Sequence, residues 1–288
     1  FRNHCHQCHP VTQKSVTYDA KVSYLRYKSQ GLTPRNPLAY EANNSDTCNH
    51  ANMVVSFECS NIVDEYDAPL LHTYETGYHD ACREIYRNFF TGLKDYGYCI
   101  KCVFITGITK FTQIGMFGML NTLVNISFSN EYATICGFTK DEVMYYFSEL
   151  LLRMADSVAV MPDELMDTMS TFYGGYHFSR GLIGVYNPFS VCNALANLRL
   201  NSYWIASSSN EILLKVLRKF INVIPELDNC LIDSDYLEMS DVNMDDPKLF
   251  LYQSGYLTIK KVVGSSYMLG YPNREVRNAM LGMSLPYS

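Results

Sequence analysis

From residue 62 onward, the chain alternates between segments with a helical period and short apolar runs. The spacing of residues 77–96 predicts an amphipathic helix with charged residues on its other side. Its apolar positions recur every four residues, at Ala81, Ile85, Phe89 and Leu93. Residues 99–106 are a mostly apolar, β-branched run closed by a glycine, which predicts a buried strand. A helix followed by a buried strand is the repeating unit of α/β proteins.

The second half of the chain is predicted to be mainly helical. Thr139 with Glu142 three residues later is a capping box, and it opens a helix that the apolar pattern carries through Met154. Further helices are predicted over residues 162–172, over residues 188–198 after the Asn187 cap, and from Pro272 onward.

Two apolar runs near the C-terminus, residues 256–263 and 267–271, flank a turn that begins at Gly264. This pattern predicts a β-hairpin. A helical region that ends in a hairpin resembles a winged-helix arrangement. The predicted fold class is therefore α/β, with a partial parallel sheet followed by a mainly helical, winged-helix-like region.

Residues 1–60 differ from the rest of the chain, because they are rich in Asn, Ser, Thr and Tyr and keep no period of 2 or 3.6. We expect a poorly ordered leader here. The predicted organisation is this leader, a partial α/β core over residues 61–130, and a helical region over residues 131–288.

The composition excludes several classes of protein. With 48% hydrophobic and 14% aromatic residues, the chain is not a disordered tail or a fibrous protein. A net charge of -6 argues against binding nucleic acid over the whole surface, although local basic patches are compatible with it. Charges interrupt every apolar run well before the roughly 20 residues of a membrane span. We expect a soluble, cytoplasmic protein without a membrane partner.

Two adjacent acidic residues are the most informative candidates for metal binding and catalysis. Asp64 and Glu65 follow the β-branched residues 62–63 and would lie at the carboxyl end of a strand, where α/β sheets place ligands. In P-loop nucleotide hydrolases, the first acid at such a strand end holds Mg²⁺ and the next orients or deprotonates the attacking water. The alternative is a solvated turn over residues 64–69.

Polar side chains also follow the next predicted strand. Thr106, Thr109 and Lys110 would lie beside the two acids if the strands are neighbours in a parallel sheet. Hydroxyl groups and an ammonium in that place could contact a γ-phosphate. The alternative for Lys110 is an ordinary surface ion pair.

Three other residues are weaker candidates. His177 is expected to pack within an aromatic cluster rather than act as a base. Arg180 and Arg274 are candidate phosphate contacts that the sequence does not separate from ordinary surface arginines.

Seven blocks along the chain resemble the successive signatures of the bacterial AAA-ATPase-like domain family, whose members often carry a PD-(D/E)XK nuclease-like region after this domain. They cover about residues 62–281 in the order typical of the family. The blocks are DEYDAPL at 64–70, FITGITKF at 104–111, EYATICG at 131–137, YGGYHF at 173–178, VYNPFS at 185–190, YQSGYLT at 252–258 and GYPNREV at 270–276.

This resemblance implies a P-loop NTPase core that uses ATP and Mg²⁺. It implies that Asp64 is the metal-binding acid and Glu65 the catalytic acid of the Walker B pair. It also implies that Thr106, Thr109 and Lys110 belong to a nucleotide-contacting, sensor-like segment. The nuclease-like region of the family suggests nucleic acid as a partner.

The chain departs from the family pattern at the phosphate loop. No Gly-x-x-x-x-Gly-Lys-Ser/Thr occurs in the sequence, and the only glycine before Gly77 is Gly31. Without the backbone N–H groups and lysine of that loop, we expect ATP binding to be weak or absent. The alternative function is a non-catalytic module that binds a protein or DNA.

The strand before Asp64 is also short of apolar residues, because the polar stretch at residues 58–61 interrupts it. We therefore expect the resemblance to begin near Ile62. Our hypothesis is that a frameshift, a wrong gene start or a rearranged locus replaced the first strands and the phosphate loop with residues 1–60.

Overall fold

The computed structural model describes residues 54–57, 60–63, 65–74, 76–95, 102–110, 124–204, 218–239, 243 and 245–284. These residues form a mixed α/β structure, as predicted. The strands are β1 (Val54–Phe57), β2 (Ser60–Val63), β3 (Cys102–Ile105), β4 (Cys230–Asp233), β5 (Thr258–Val263) and β6 (Ser266–Gly270). The helices are α1 (Ala68–Thr73), α2 (His79–Asp95), α3 (Lys140–Tyr146), α4 (Ser148–Val158), α5 (Pro162–Tyr173), α6 (Pro188–Asn197), α7 (Ser234–Met239), α8 (Pro247–Gln253) and α9 (Arg274–Ser284), with a 3-10 helix at Ile224–Leu227.

The first sheet has the strand order β1-β2-β3. β2 pairs with β3 in parallel, with Ile62 opposite Phe104, and β1 pairs with β2 in antiparallel orientation. The predicted succession of strand, helix and parallel strand is therefore present in β2, α2 and β3. A larger parallel sheet of the P-loop type goes beyond the strands described, and it stays a prediction.

Residues 1–60 were predicted to be a poorly ordered leader, and that division of the chain stays a prediction. β1 lies within this range and pairs with β2. The polar residues Ser60 and Asn61 are also in the sheet, opposite Cys102 and Val103. Ladder hydrogen bonds come from the backbone, so polar residues can occupy a strand whose apolar pattern is interrupted. Residues 1–53 lie outside the described part of the chain.

The helix predicted over residues 77–96 is α2, but the wrong face was predicted to be buried. Ile85 is 68% exposed and Phe89 is 47% exposed, whereas Phe90 is completely buried. Cys82 and Tyr86, which lie two turns and one turn before Phe90, respectively, pack partly buried against the same core. The apolar residues of α2 cover an arc so wide that either of two sides of the helix could be the buried one. Packing against the rest of the protein decides which side it is.

The capping box predicted in the second half is confirmed. Oγ1 of Thr139 accepts a hydrogen bond from the backbone N–H of Glu142, and the Glu142 carboxylate accepts one from the N–H of Thr139. The single helix predicted from this point is instead two helices, α3 and α4, separated at Phe147. The helices predicted after Pro162 and after Asn187 are α5 and α6, and the Asn187 side chain accepts from the N–H of Ser190.

The second sheet contains the predicted hairpin. β5 and β6 pair in antiparallel orientation around a turn in which Gly264 has φ +59°. β4, which the sequence analysis did not predict, pairs with β6 and gives the strand order β4-β6-β5. The terminal helix α9 begins at Arg274, two residues after Pro272, because the side chain of Asn273 accepts from the N–H of Val276.

Among the described residues, the larger of two hydrophobic clusters joins the two predicted regions. Tyr66, Leu70 and Phe90 from the first region pack with Ile259 and Tyr267 of the hairpin. A second cluster fills the space between α3, α4, α5 and α6. The strand ends of the first sheet are therefore held against the C-terminal part of the chain. The predicted boundary at residue 130 stays a prediction.

A buried carboxylate holds α9 in place. Glu275 is 2% exposed, and its two carboxylate oxygens accept hydrogen bonds from the Ser190 hydroxyl at 2.8 Å and from the backbone N–H of Trp204 at 2.8 Å. Buried carboxylates are tolerated when several donors meet them. In the described part of the chain, every helix is too short or too polar to traverse a lipid bilayer.

Candidate functional site

The ends of β2 and β3 meet at one edge of the first sheet. Val63 lies opposite Ile105, and the backbone N–H of Tyr66 then donates to the carbonyl of Thr106 at 3.0 Å. Parallel neighbours place their carboxyl ends on the same edge. Residues 106–110, which we call the strand-end segment, therefore lie beside the turn that follows β2, as predicted, and the place of Asp64 in this arrangement stays a prediction.

Of the two predicted acids, Glu65 lies within the described residues and Asp64 does not. Asp64, the predicted metal ligand, lies outside the described residues. Glu65, the predicted catalytic acid, is partly buried and has a φ of +50°. Left-handed backbone is uncommon in residues other than glycine, and it costs energy that the surrounding contacts must supply. The chain therefore turns sharply directly after β2.

Asp67, which the sequence analysis did not select, is the acid of the segment after β2 that is buried and held by several hydrogen bonds. Its carboxylate is 1% exposed. It accepts hydrogen bonds from the N–H of Ile108 at 3.1 Å and from both the N–H and the hydroxyl of Thr109 at 2.6 Å. Burial raises the pKa of Asp67, and the hydrogen bonds from Thr109 and Ile108 act in the opposite direction. We call these contacts the Asp67 clasp.

Two neighbours complete the clasp. The hydroxyl of Tyr66 donates to the carbonyl of Thr109 at 2.9 Å. Gly107 lies so close that a Cβ placed on it would be 2.4 Å from a carboxylate oxygen of Asp67 and 2.7 Å from the Tyr66 ring. Only glycine allows the backbone this approach. A pattern of Asp three residues after Asp64, with Gly-x-Thr after the next strand, is the weak sequence signal of this contact.

Two of the three predicted nucleotide-contacting side chains, those of Thr109 and Lys110, face protein groups. The hydroxyl of Thr109 donates to Asp67 within the clasp. The ammonium of Lys110 donates to the backbone carbonyl of Glu238 in the last turn of α7 at 3.0 Å. Thr106 is partly buried, and its carbonyl accepts from the N–H of Tyr66. This Lys110 contact is with a backbone carbonyl, and the surface ion pair of the alternative stays a prediction.

His177 and the two arginines lie elsewhere. His177 exchanges hydrogen bonds with Thr258, and its Nδ1 lies 2.9 Å from the carbonyl of Ile259. Burial lowers the pKa of His177, which favours the neutral ring expected of a packing residue. The guanidinium of Arg180 lies 5.5 Å from the ring centre of Tyr267, and Arg274 stacks in the same way on another aromatic ring.

The described residues contain no group of three or more His, Cys, Asp and Glu side chains that could hold a metal ion. Asp64 is not among the residues to which this statement applies. The described part of the acidic segment after β2 binds protein donors through Asp67, and the magnesium site at Asp64 stays a prediction.

Comparison with known proteins gives a match to one protein family. Residues 11–117 match the family model described as Predicted AAA-ATPase. This match confirms the resemblance predicted from the sequence. A curated relative, described as an uncharacterized protein in the vnfD 5' region of Azotobacter chroococcum mcd 1, is 28% identical over 226 residues. The alignment covers 76% of the chain and 41% of the relative, so the chain spans about two fifths of the relative's length. No solved structure matches the chain significantly.

The AAA-ATPase-like match begins at residue 11, before the described residues begin. The prediction that the resemblance begins near Ile62 is therefore wrong. The hypothesis that unrelated sequence replaced the start of the domain is contradicted for residues 11–60, because they lie inside the matched range. One premise of both was that the polar residues 58–61 interrupt the strand before Asp64, whereas Ser60 and Asn61 belong to β2.

Proposed function

We propose that this chain is an AAA-ATPase-like protein in which binding and hydrolysis of ATP are impaired. The family match supports a nucleotide-related origin. The observation that carries the proposal is the Asp67 clasp, in which the hydroxyl of Thr109, a predicted nucleotide contact, donates to a buried carboxylate at 2.6 Å. A hydroxyl engaged in this way is not available to a phosphate without breaking a charge-assisted hydrogen bond.

The sequence supports the same proposal. A phosphate loop supplies successive backbone N–H groups and a lysine to the β- and γ-phosphates. The chain has no Gly-x-x-x-x-Gly-Lys-Ser/Thr. Lys110 is a cation near the strand ends, and its ammonium is already placed on the carbonyl of Glu238.

ATP and Mg²⁺ do not fit the described residues well. Thr109 and Lys110 face protein acceptors, and the described part of the chain offers no cluster of metal ligands. In an intact relative, Asp64 would be the residue to hold magnesium and Glu65 the residue to polarise water. In this chain, we propose that the turn after β2 and the strand-end segment mainly join the first sheet to the C-terminal region.

The test is a calorimetric titration of this chain with ATP in the presence of Mg²⁺, together with a phosphate-release assay. We expect no saturable binding below about 1 mM, which corresponds to less than about 4 kcal/mol of binding free energy. Low-micromolar binding would overturn the proposal.

Glu65→Gln gives the matched control for hydrolysis, because it keeps the size of the side chain and removes its charge. We expect the wild type and Glu65→Gln to release phosphate at the same background rate. A wild-type rate that Glu65→Gln abolishes would contradict the proposal and identify Glu65 as the catalytic acid.

A non-catalytic interaction module is the second candidate. The order of elements from the 3-10 helix at Ile224–Leu227 to β6, with the sheet order β4-β6-β5, supports the winged-helix-like interpretation. In helix-turn-helix proteins, the second helix enters the major groove. The corresponding helix here is α8, whose residues Leu249, Phe250 and Leu251 are buried. The ammonium of Lys248 donates to the carbonyl of Leu231. These contacts favour a protein partner over DNA.

Fluorescence anisotropy with a labelled DNA duplex at two salt concentrations separates these cases. For a protein-binding module, we expect weak binding that disappears as salt rises, because only non-specific phosphate contacts contribute. Tight, sequence-dependent binding that Lys248→Ala reduces would instead favour a DNA-binding module.

A further inference from the structure

The last turn of α7 lies between the strand-end segment and the β5–β6 hairpin. The carbonyl of Glu238 accepts a hydrogen bond from the ammonium of Lys110 at 3.0 Å, across 128 residues of sequence. The side chain of the same residue accepts a hydrogen bond from the hydroxyl of Tyr267 in β6. One residue of α7 therefore contacts both regions.

The backbone contact acts as a helix cap. The last four carbonyls of a helix have no partner within the helix, and a cation near them also interacts favourably with the helix dipole. α7 has only six residues and no basic residue in its last turn. Lys110 supplies from another part of the chain the charge that the helix itself lacks.

The side-chain contact holds the hairpin. Tyr267 is completely buried, and its hydroxyl meets the Glu238 carboxylate. Arg180 lies over the Tyr267 ring at 5.5 Å and donates to the carbonyl of Gly264 in the hairpin turn at 3.3 Å. A displacement of Glu238 would therefore affect both β6 and the turn.

We propose that Glu238 is a junction that couples the strand-end segment to the hairpin, with Lys110 capping α7 and α7 presenting its carboxylate to Tyr267. The coupling is a property of the folded chain and is independent of nucleotide binding. A change at residues 106–110 therefore alters the order of the hairpin and a change in the hairpin alters the order of the strand-end segment, with one coupling free energy that is the same in both directions.

Amide hydrogen exchange tests this proposal. Lys110→Met removes the charge and keeps most of the side-chain length. We expect exchange of the Tyr267, Met268 and Leu269 amides to accelerate about tenfold, since a hydrogen bond from a charged donor is lost. Lys110→Arg keeps a donor and should restore most of the protection. Lys140→Met, which removes an exposed ion pair with Asp167, should leave the hairpin unchanged.

A double-variant cycle separates coupling from general destabilisation. With Tyr267→Phe already present, Lys110→Met should add little further acceleration in β6, because the path through Glu238 is broken. The proposal would be overturned if the accelerations of β6 amide exchange by the two substitutions multiplied in the double variant. Unchanged amide exchange of the hairpin in Lys110→Met would also overturn it.

The reciprocal measurement applies even if Lys110→Met does not fold. Tyr267→Phe removes one hydroxyl from the hairpin and should accelerate exchange of the Ile108 and Thr109 amides, which donate to Asp67. Unchanged protection of these two amides would contradict the coupling.

Discussion

The carboxylate of Asp67 and the hydroxyl of Thr109 lie 2.6 Å apart in the interior of the protein. They are separated by 42 residues of sequence and follow two neighbouring strands. This contact fixes the turn after β2 against the turn after β3. Its strength and its dependence on pH can be measured directly.

Thr109→Val keeps the shape of the side chain and removes the hydroxyl. The Asp67 carboxylate then keeps two backbone donors and loses its side-chain donor. We expect the free energy of unfolding to fall by about 1–3 kcal/mol, because a buried charged acceptor loses a partner. Thr168→Val is the matched control, since the Thr168 hydroxyl is exposed and bonds only locally to Glu164. Denaturant unfolding measures both, and equal effects would contradict the structural role of the clasp.

The stability contributed by Asp67 should decline as the pH rises. Burial raises the pKa of this carboxyl above its ordinary value of 3.8, so the folded protein binds the proton more tightly than the unfolded chain. The free energy of unfolding therefore falls as pH increases from 3.8 through the raised pKa. We expect Asp67→Asn to remove this component, whereas the exposed Asp156→Asn should retain it. Parallel pH profiles for the wild type and Asp67→Asn would refute the assignment.

His177 should produce the opposite slope. Burial lowers its pKa below the ordinary value of 6.5, the nearby charge of Lys260 lowers it further, and the bond to Ile259 only partly opposes this. The unfolded chain then binds the proton more tightly, so stability is complete above pH 6.5 and declines as pH falls through the lowered pKa. His177→Asn should flatten this decline. His72→Asn is the control, because exposed His72 contacts a backbone carbonyl in the same way. A decline that persists in His177→Asn would exclude His177 as its source.

Two adjacent phenylalanines test which side of α2 is buried. Phe90 is completely buried and Phe89 is 47% exposed. We expect Phe90→Ala to reduce the free energy of unfolding by about 3–5 kcal/mol, through lost burial and the cavity left behind. Phe89→Ala should cost about 1 kcal/mol or less. Chemical denaturation of the two variants measures both losses. A larger loss of unfolding free energy in Phe89→Ala than in Phe90→Ala would show that the side of α2 predicted from the sequence is the buried one.

Part of the candidate site could be predicted from the sequence. The proximity of residues 65–67 and the strand-end segment followed from two predicted strands with a predicted helix between them, because a parallel crossover brings such strand ends together. The partners of Thr109 and Lys110 could not be predicted in this way. Each side chain has donors that suit either a phosphate or a protein acceptor, and the choice depends on which group the fold brings near.

The sequence by itself determined the local features of this protein. The capping box at Thr139, the cap at Asn187 and the hairpin turn at Gly264 depend on residues only a few positions apart, so their physical signals are contained in short stretches. The tertiary structure alone decided that Phe90 rather than Phe89 is buried, and that Lys110 contacts Glu238. These outcomes depend on packing between distant segments, where several arrangements satisfy the same local pattern and only the complete set of contacts selects one.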